Sequence, residues 1–348
     1  LMADILLDKC PNVMWVTICM SLFSGAISAF IDNVATVLMV APVGLAVCKK
    51  LKINPVAMII SIAVSSNLQG AATLVGDTTS IMLGDYAHMN FMNFFWMNGR
   101  PGMFFAVELG ALATIPIMMI LFRNNREPVS SNGRTVVTDY VPTFMLLLMV
   151  AALITASFIP NTPDVTNGAI CCILGVVTAI LDYVRNHKQE NIKRTVQNID
   201  FETLLLLLGL FVVIGGITEA GIITDFANAI VKFGGSSLFL LYTIIVWGSV
   251  LISAFVDNIP YVATMLPVLT VVTSQLGVSP NLLYFGLLCG ATLGGNLTPI
   301  GASANITAVG LLGKEGYDVG FPDFMRIGVP YTLTAVVVGY LFIWFVWA

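Results

Sequence analysis

Two carboxylates interrupt some of the most apolar sequence in this 348-residue chain: Asp32-Asn33 ends the hexapeptide SAFIDN (28–33), and Asp257-Asn258 ends SAFVDN (253–258). A carboxylate at membrane depth is costly unless it is paired, protonated or bound to an ion, so such a residue is a functional candidate by default. The competing reading is a helix N-cap, a position that Asp and Asn both favour. A cap alone has no need of charge, whereas a cation or a proton does. Both pairs are therefore candidate Na⁺ or H⁺ sites, with Na⁺ at Asp32, Asn33, Asp257 and Asn258.

Two polar interruptions elsewhere supply further oxygens. GDTTS (76–80) breaks the apolar run 54–97, and TPIGASAN (298–305) breaks 280–312. Small polar side chains compete for backbone hydrogen bonds and weaken a helix, so both runs are expected to be discontinuous helices. Their half-helix ends would aim positive N-termini at an anion and unwound carbonyls at a cation. Gly76 and Gly301 offer backbone at these breaks, and Asn67, Thr73, Thr78, Asn296, Thr298, Ser303 and Asn305 offer neutral oxygens. Asp77 adds a carboxylate on one side only, since the corresponding residue of the second break is Ala302.

The elements that must position these residues repeat. Asp32 and Asp257, Pro42 and Pro267, Pro55 and Pro280, Gly70 and Gly295, Thr73 and Thr298, and Gly76 and Gly301 are all separated by the same offset along the chain. One offset across hairpin, linker and break marks a duplication, which is how transporter folds are built. The first repeat is expected over 1–122, with a re-entrant hairpin at 12–48, the broken helix 54–97 and a helix at 102–122. A linker follows at 123–141. The second repeat covers 142–348, with helices at 142–160, 168–183 and 203–221, a hairpin at 237–275, the broken helix 280–312 and a helix at 327–348. The three helices that open the second repeat have no counterpart in the first, so about three further helices are expected to precede Leu1, at roughly 20 residues per span.

Composition sets the solvent. With 57% hydrophobic and 10% charged residues, the chain lies outside the range of soluble domains, and spans that must satisfy their own backbone in lipid read as helices. The fold class is all-α: a polytopic membrane protein with inverted repeats, two re-entrant hairpins and two discontinuous transmembrane helices. If the repeats are inverted, thirteen Lys and Arg fall on one side and two, Arg100 and Lys232, on the other, which makes the first side cytoplasmic. Short amphipathic helices are then expected at 222–235 outside and 1–10 inside. The six Cys and two His show no metal-ligand spacing, and LGG (293–295) follows no strand and does not suggest a nucleotide site. Glu108 and Glu219 read as interhelical hydrogen-bonding groups, with a place on a proton path as the alternative.

AFIDNVATVLMVAPV and GAATLVGD in the first half, with AFVDNIPYVATMLPVL (254–269), GATLGGNLTPIGASANI (290–306) and EGYDVGFPDFMRIGVP (315–330) in the second, resemble the ion transporter superfamily, on its branch of melanosomal P protein-like permeases. That superfamily includes arsenite-efflux permeases, sodium/proton antiporters and divalent-anion/sodium symporters. The resemblance covers nearly the whole chain. It implies a dimerising scaffold and a transport unit of hairpins and broken helices that moves as an elevator. It also implies coupling-ion sites at the two hairpin tips. Asp-Asn stands where the dicarboxylate branch carries Ser-Asn-Thr, which favours cation or proton binding. The resulting expectation is a non-enzymatic secondary active transporter coupled to Na⁺ or H⁺, performing Na⁺/H⁺ antiport or cation-coupled movement of a small anion. A Na⁺-coupled carboxylate symporter or an arsenite-type permease is the alternative within that class; an ion channel or an intramembrane aspartyl protease is the alternative outside it. Expected partners are lipid, a small ion or anion and a second copy of the chain, with no cofactor and no nucleic acid, in a bacterial inner membrane.

Overall fold

The computed structural model describes residues 10–125, 127, 140–159, 163, 165–186, 201–235 and 237–348, and among them the structure is helical apart from one short hairpin, Trp96–Met97 with Arg100–Pro101. The sequence readings for 1–9 and for most of the 123–141 and 184–200 loops lie outside the described residues.

The first hairpin is α1 (Val13–Ser28) and α2 (Asn33–Leu51). Asn12 caps α1 through its side chain, accepting from Trp15 N at 3.1 Å, and Asp32 caps α2. Next come the half-helices α3 (Val56–Gly70) and α4 (Thr78–Tyr86), then a 3₁₀ turn at Phe91–Phe94 and α5 (Met103–Leu121). The second part opens with α6 (Val141–Ser157), α7 (Thr166–Asn186) and α8 (Phe201–Glu219). A 73° bend leads from α8 into α9 (Ile222–Gly234), which buries Ile223 and Ala227 and exposes Phe226 and Phe233. The second hairpin is α10 (Leu238–Ser253) and α11 (Asn258–Leu276). It is followed by the half-helices α12 (Asn281–Gly294) and α13 (Ser303–Lys314), and finally α14 (Phe321–Trp347). Five described helices are long and apolar enough to cross a membrane, and a sixth if the bent pair counts as one span.

The centre belongs to α3 and α12. Every residue from Met58 to Gly70 and from Leu282 to Gly294 is buried, as helices apolar around most of their circumference must be. In the first copy α1 is tied to α3 by Ser21 and Ser24, whose hydroxyls donate to Ser61 O (2.8 Å) and Ile62 O (3.1 Å). In the second, glycines do the same work: Gly286, Gly290 and Gly294 of α12 face Tyr242, Val246 and Val250 of α10. Small residues let helix backbones approach where lipid gives no hydrophobic drive. The match is reciprocal at one point. Gly25 leaves the room that Gln69 fills, and at the equivalent positions of the second copy Val250 packs on Gly294.

Three sequence readings need correction. The first break is the stretch Ala71–Asp77, not GDTTS, because Thr78, Thr79 and Ser80 form the opening turn of α4. Likewise the second break runs from Gly295 to Ala302, and Ser303, Ala304 and Asn305 are helical. Ser, Thr and Asn, read as helix breakers, are here helix starters. The last helix begins at Phe321 rather than 327, since Pro322 suits a first turn and Asp323 accepts from Gly320 N at 3.1 Å.

A Cβ at Gly290 would lie 2.8 Å from Ser249 Cβ and 3.1 Å from the Val246 carbonyl carbon, whereas at Gly310 it would meet nothing within 4 Å. Gly290→Val should cost about 1–3 kcal/mol by overpacking and lower the thermal unfolding midpoint in detergent, while Gly310→Ala leaves it near wild type.

Candidate functional site

Both hairpin tips are built the same way. Asp32 Oδ1 accepts from Val34 N (3.0 Å) and Ala35 N (3.1 Å), and Asp257 Oδ1 accepts from Ile259 N at 2.9 Å. Each carboxylate thus serves as an N-cap through one oxygen; at Asp257 the second oxygen accepts from Ser303 Oγ at 3.3 Å. The breaks are fastened to the tips by one repeated bond, from the Thr73 hydroxyl to Ala29 O and from the Thr298 hydroxyl to Ala254 O.

Carbonyl oxygens crowd the two break glycines. A Cβ at Gly76 would stand 2.5, 2.6 and 2.8 Å from the carbonyls of Gly70, Ser28 and Ala29, and one at Gly301 would stand 2.5, 2.7 and 2.9 Å from those of Gly295, Ser253 and Ala254. Side-chain oxygens without a hydrogen-bond partner accompany each cage. Ser28 Oγ and Ser80 Oγ are buried and unpaired in the first copy; Ser253 Oγ and Asn305 Oδ1, at the equivalent positions, are buried and unpaired in the second. Ser28 and Ser253 are one pair of equivalent positions, and Ser80 and Asn305 the other. Clustered oxygens of this kind suit a hard cation.

Between the cages the copies meet. Asn67 of α3 donates to Thr292 O at 2.8 Å, a bond between equivalent positions of the two repeats, and to Asn296 Oδ1 at 3.1 Å; Asn296 donates back to Val64 O at 2.8 Å. Asn33 Nδ2 reaches from the first tip to Asn67 Oδ1 (2.9 Å) and Asp77 Oδ1 (3.2 Å), and Ser66 Oγ donates to Asn33 O at 3.0 Å. Thr79 donates to Asp77 Oδ2 at 2.5 Å and meets Thr292 Oγ1 at 2.8 Å. Asp77 is 3% exposed and lies close enough to Asp32 and Asp257 for both charges to act on it. Of the three carboxylates only Asp77 is buried; Asp32 is exposed and Asp257 half-buried.

The remaining sequence candidates take lesser places. Asn305 Nδ2 donates to Gly295 O (3.1 Å) and Thr298 O (3.2 Å); Asn258 is buried with its Nδ2 unpaired; Thr78 is half-buried at the start of α4, and Ser303 is exposed. Ser28, Ser253, Ser80, Ser66, Thr79 and Thr292 were not read from the sequence. The signal for two of them was present, since Ser opens both copies of the repeated hexapeptide.

Residues 1–290 match the family described as CitMHS, citrate transporter. The chain belongs to the CitMHS family. Relatives of this CitMHS chain include the uncharacterized transporter Rv2684 of Mycobacterium tuberculosis, 30% identical over 343 residues that cover 94% of the chain and 76% of the relative. The P protein of Mus musculus is 25% identical over 417 residues, covering 94% of the chain and 48% of that protein. Among solved structures, the YdaH transporter of Alcanivorax borkumensis, described as having an unusual topology, superposes with a TM-score of 0.64 at 14% identity, over 98% of this chain and 79% of that one. The CitMHS chain is therefore an all-α integral membrane transporter.

Asn67→Leu should be the most damaging single change at the crossing. It leaves Thr292 O, Asn296 Oδ1 and Asn33 Nδ2 short of a partner, at about 1–3 kcal/mol for each buried group. Thermal unfolding in detergent should fall well below that of Thr292→Val, which removes only the hydroxyl contact with Thr79.

Proposed function

We propose that this transporter couples Na⁺ to the movement of a small carboxylate anion of the citrate class, with one Na⁺ held in each cage. The observation that carries this reading is the duplicated set of unpaired oxygens beside converging carbonyls: Ser28 and Ser80 at the Gly76 cage, Ser253 and Asn305 at the Gly301 cage. Asp32 and Asp257, already fixed by backbone amides at the tips, lend charge to each site. The anion lies between the N-termini of α4 and α13, where unpaired amides and the helix dipoles favour negative charge. Its carboxylates then face the cations rather than the protein's own acids. The family's description supports a citrate-like solute, and the hairpin and broken-helix architecture supports alternating access by an elevator movement of a homodimer in a bacterial inner membrane.

The proximity of Asp32, Asp77 and Asp257 favours a second reading, in which protons displace Na⁺ from these carboxylates and the protein exchanges the two. One preparation separates them. Full-length protein in liposomes is given an inward Na⁺ gradient with labelled citrate outside and a pH dye inside. Na⁺-dependent citrate uptake is expected. Ser28→Ala and Ser253→Ala should each raise the half-saturating Na⁺ concentration roughly tenfold, equivalent to about 1.4 kcal/mol. Citrate uptake indifferent to Na⁺ overturns the symport reading, and Na⁺-driven proton release without citrate establishes the exchange reading in its place.

A further inference from the structure

The open end of the first hairpin holds a cavity of about 430 Å³, set between the last turns of α2, the linker to α3 and the turn that follows α13. Buried Leu45 and Cys48 give it an apolar floor, and Lys49, Lys52, Asn54 and Tyr317 give it a polar lining. Asn54 Oδ1 accepts from Val56 N at 2.9 Å, which leaves its Nδ2 as a donor. Lys49 Nζ stands 2.5 Å from Glu315 Oε2, in an ion pair that joins the first hairpin to the end of the second broken helix. Among the described residues Lys52 is in no ion pair.

The second copy shows that the fold does not need these charges. At the positions equivalent to Lys49, Lys50 and Lys52 it carries Ser274, Gln275 and Gly277. Lys52 and Gly277 close their helices in the same left-handed conformation, at φ 56° and 65°. That conformation crowds the Cβ of an L residue against the following carbonyl oxygen and leaves glycine free. A lysine is thus held where glycine makes the same cap with less crowding, and its side chain lines the cavity. The charge, and not the turn, accounts for its presence.

One face of α2 connects this cavity to the apolar surface of the molecule. Met39, Pro42, Val43, Ala46, Lys49 and Lys50 recur every three or four residues and are all exposed, so an apolar stripe ends at the lysines. Basic groups at the end of such a stripe complement an anionic lipid, its head on the charges and its chains on the helix. We propose that the cavity binds the phosphate head of an anionic phospholipid. Lys52 and Lys49 meet the phosphate oxygens, Asn54 and Tyr317 donate hydrogen bonds to them, and the acyl chains follow the α2 stripe. Glu315 competes with the phosphate for Lys49. Occupancy therefore exchanges the Lys49–Glu315 pair for a Lys49–phosphate pair and removes one tie between the first hairpin and the second broken helix.

The test involves no transported solute, so it is independent of the citrate reading. Purified full-length protein, in which any further helix packed on α2 is in place, is examined in detergent by native mass spectrometry with added phosphatidylglycerol, phosphatidylcholine or inorganic phosphate. Phosphatidylglycerol should bind, and phosphatidylcholine should bind roughly tenfold more weakly or less. Lys52→Gly should fold as well as wild type, since Gly277 makes the same cap. It should nevertheless weaken phosphatidylglycerol binding roughly tenfold, the effect of one charge-assisted contact, whereas Glu315→Gln should strengthen it. Lys50→Ala removes a neighbouring charge outside the cavity lining and should have a smaller effect than Lys52→Gly. If phosphatidylcholine binds equally, if Lys52→Gly binds like wild type, or if Lys50→Ala weakens binding as much, the lysines attract lipid only diffusely and the proposal fails. Inorganic phosphate bound as tightly as the lipid assigns the cavity to a free anion and overturns the lipid reading.

Discussion

The hydrogen-bonded crossing of α3 and α12 is the constraint on which the rest of the structure depends. In hydrocarbon, unwound backbone is tolerated only where protein or a bound ion satisfies it, and this chain unwinds twice at its centre. Asn67 resolves the difficulty by donating across the repeat boundary to Thr292 and Asn296 while accepting from Asn33. Because Asn67 and Thr292 are equivalent positions, the bond lies where the two copies meet. From that point each break extends toward the tip of its own copy, where Thr73 or Thr298 fastens it. The crossing and the fastened tips bring three carbonyls against each break glycine, Gly76 and Gly301.

The two copies depart from each other at a few buried positions. Asp77 faces Ala302 across the pseudo-symmetry, Gln69 replaces the glycine that sits at 294, and Ser21, Ser65 and Thr114 are matched by Val246, Gly290 and Gly339. Asp77, the carboxylate without a counterpart, is bonded to the first tip through Asn33.

Much of this was legible in the sequence. Charge inside apolar runs located both tips, and one constant offset along the chain paired the tips, prolines and glycines before any contact was known. The break boundaries were not legible, because Thr78 to Ser80 and Ser303 to Asn305 look like breakers in isolation and start helices only after an extended cap at Asp77 or Ala302. Ser28 and Ser253 were overlooked beside the carboxylates that follow them, since a serine in an apolar helix ordinarily donates to its own backbone four residues back, and only the fold reveals that these two do not.

Thallium(I), a heavy substitute for Na⁺, tests the central claim most directly. Anomalous diffraction from crystals of the full-length protein soaked with it should show two peaks related by the repeat, one beside Ser28 and Gly76 and one beside Ser253 and Gly301. Both should vanish when excess Na⁺ is added. Peaks elsewhere, or a single peak that Na⁺ fails to displace, would contradict a pair of equivalent cation cages.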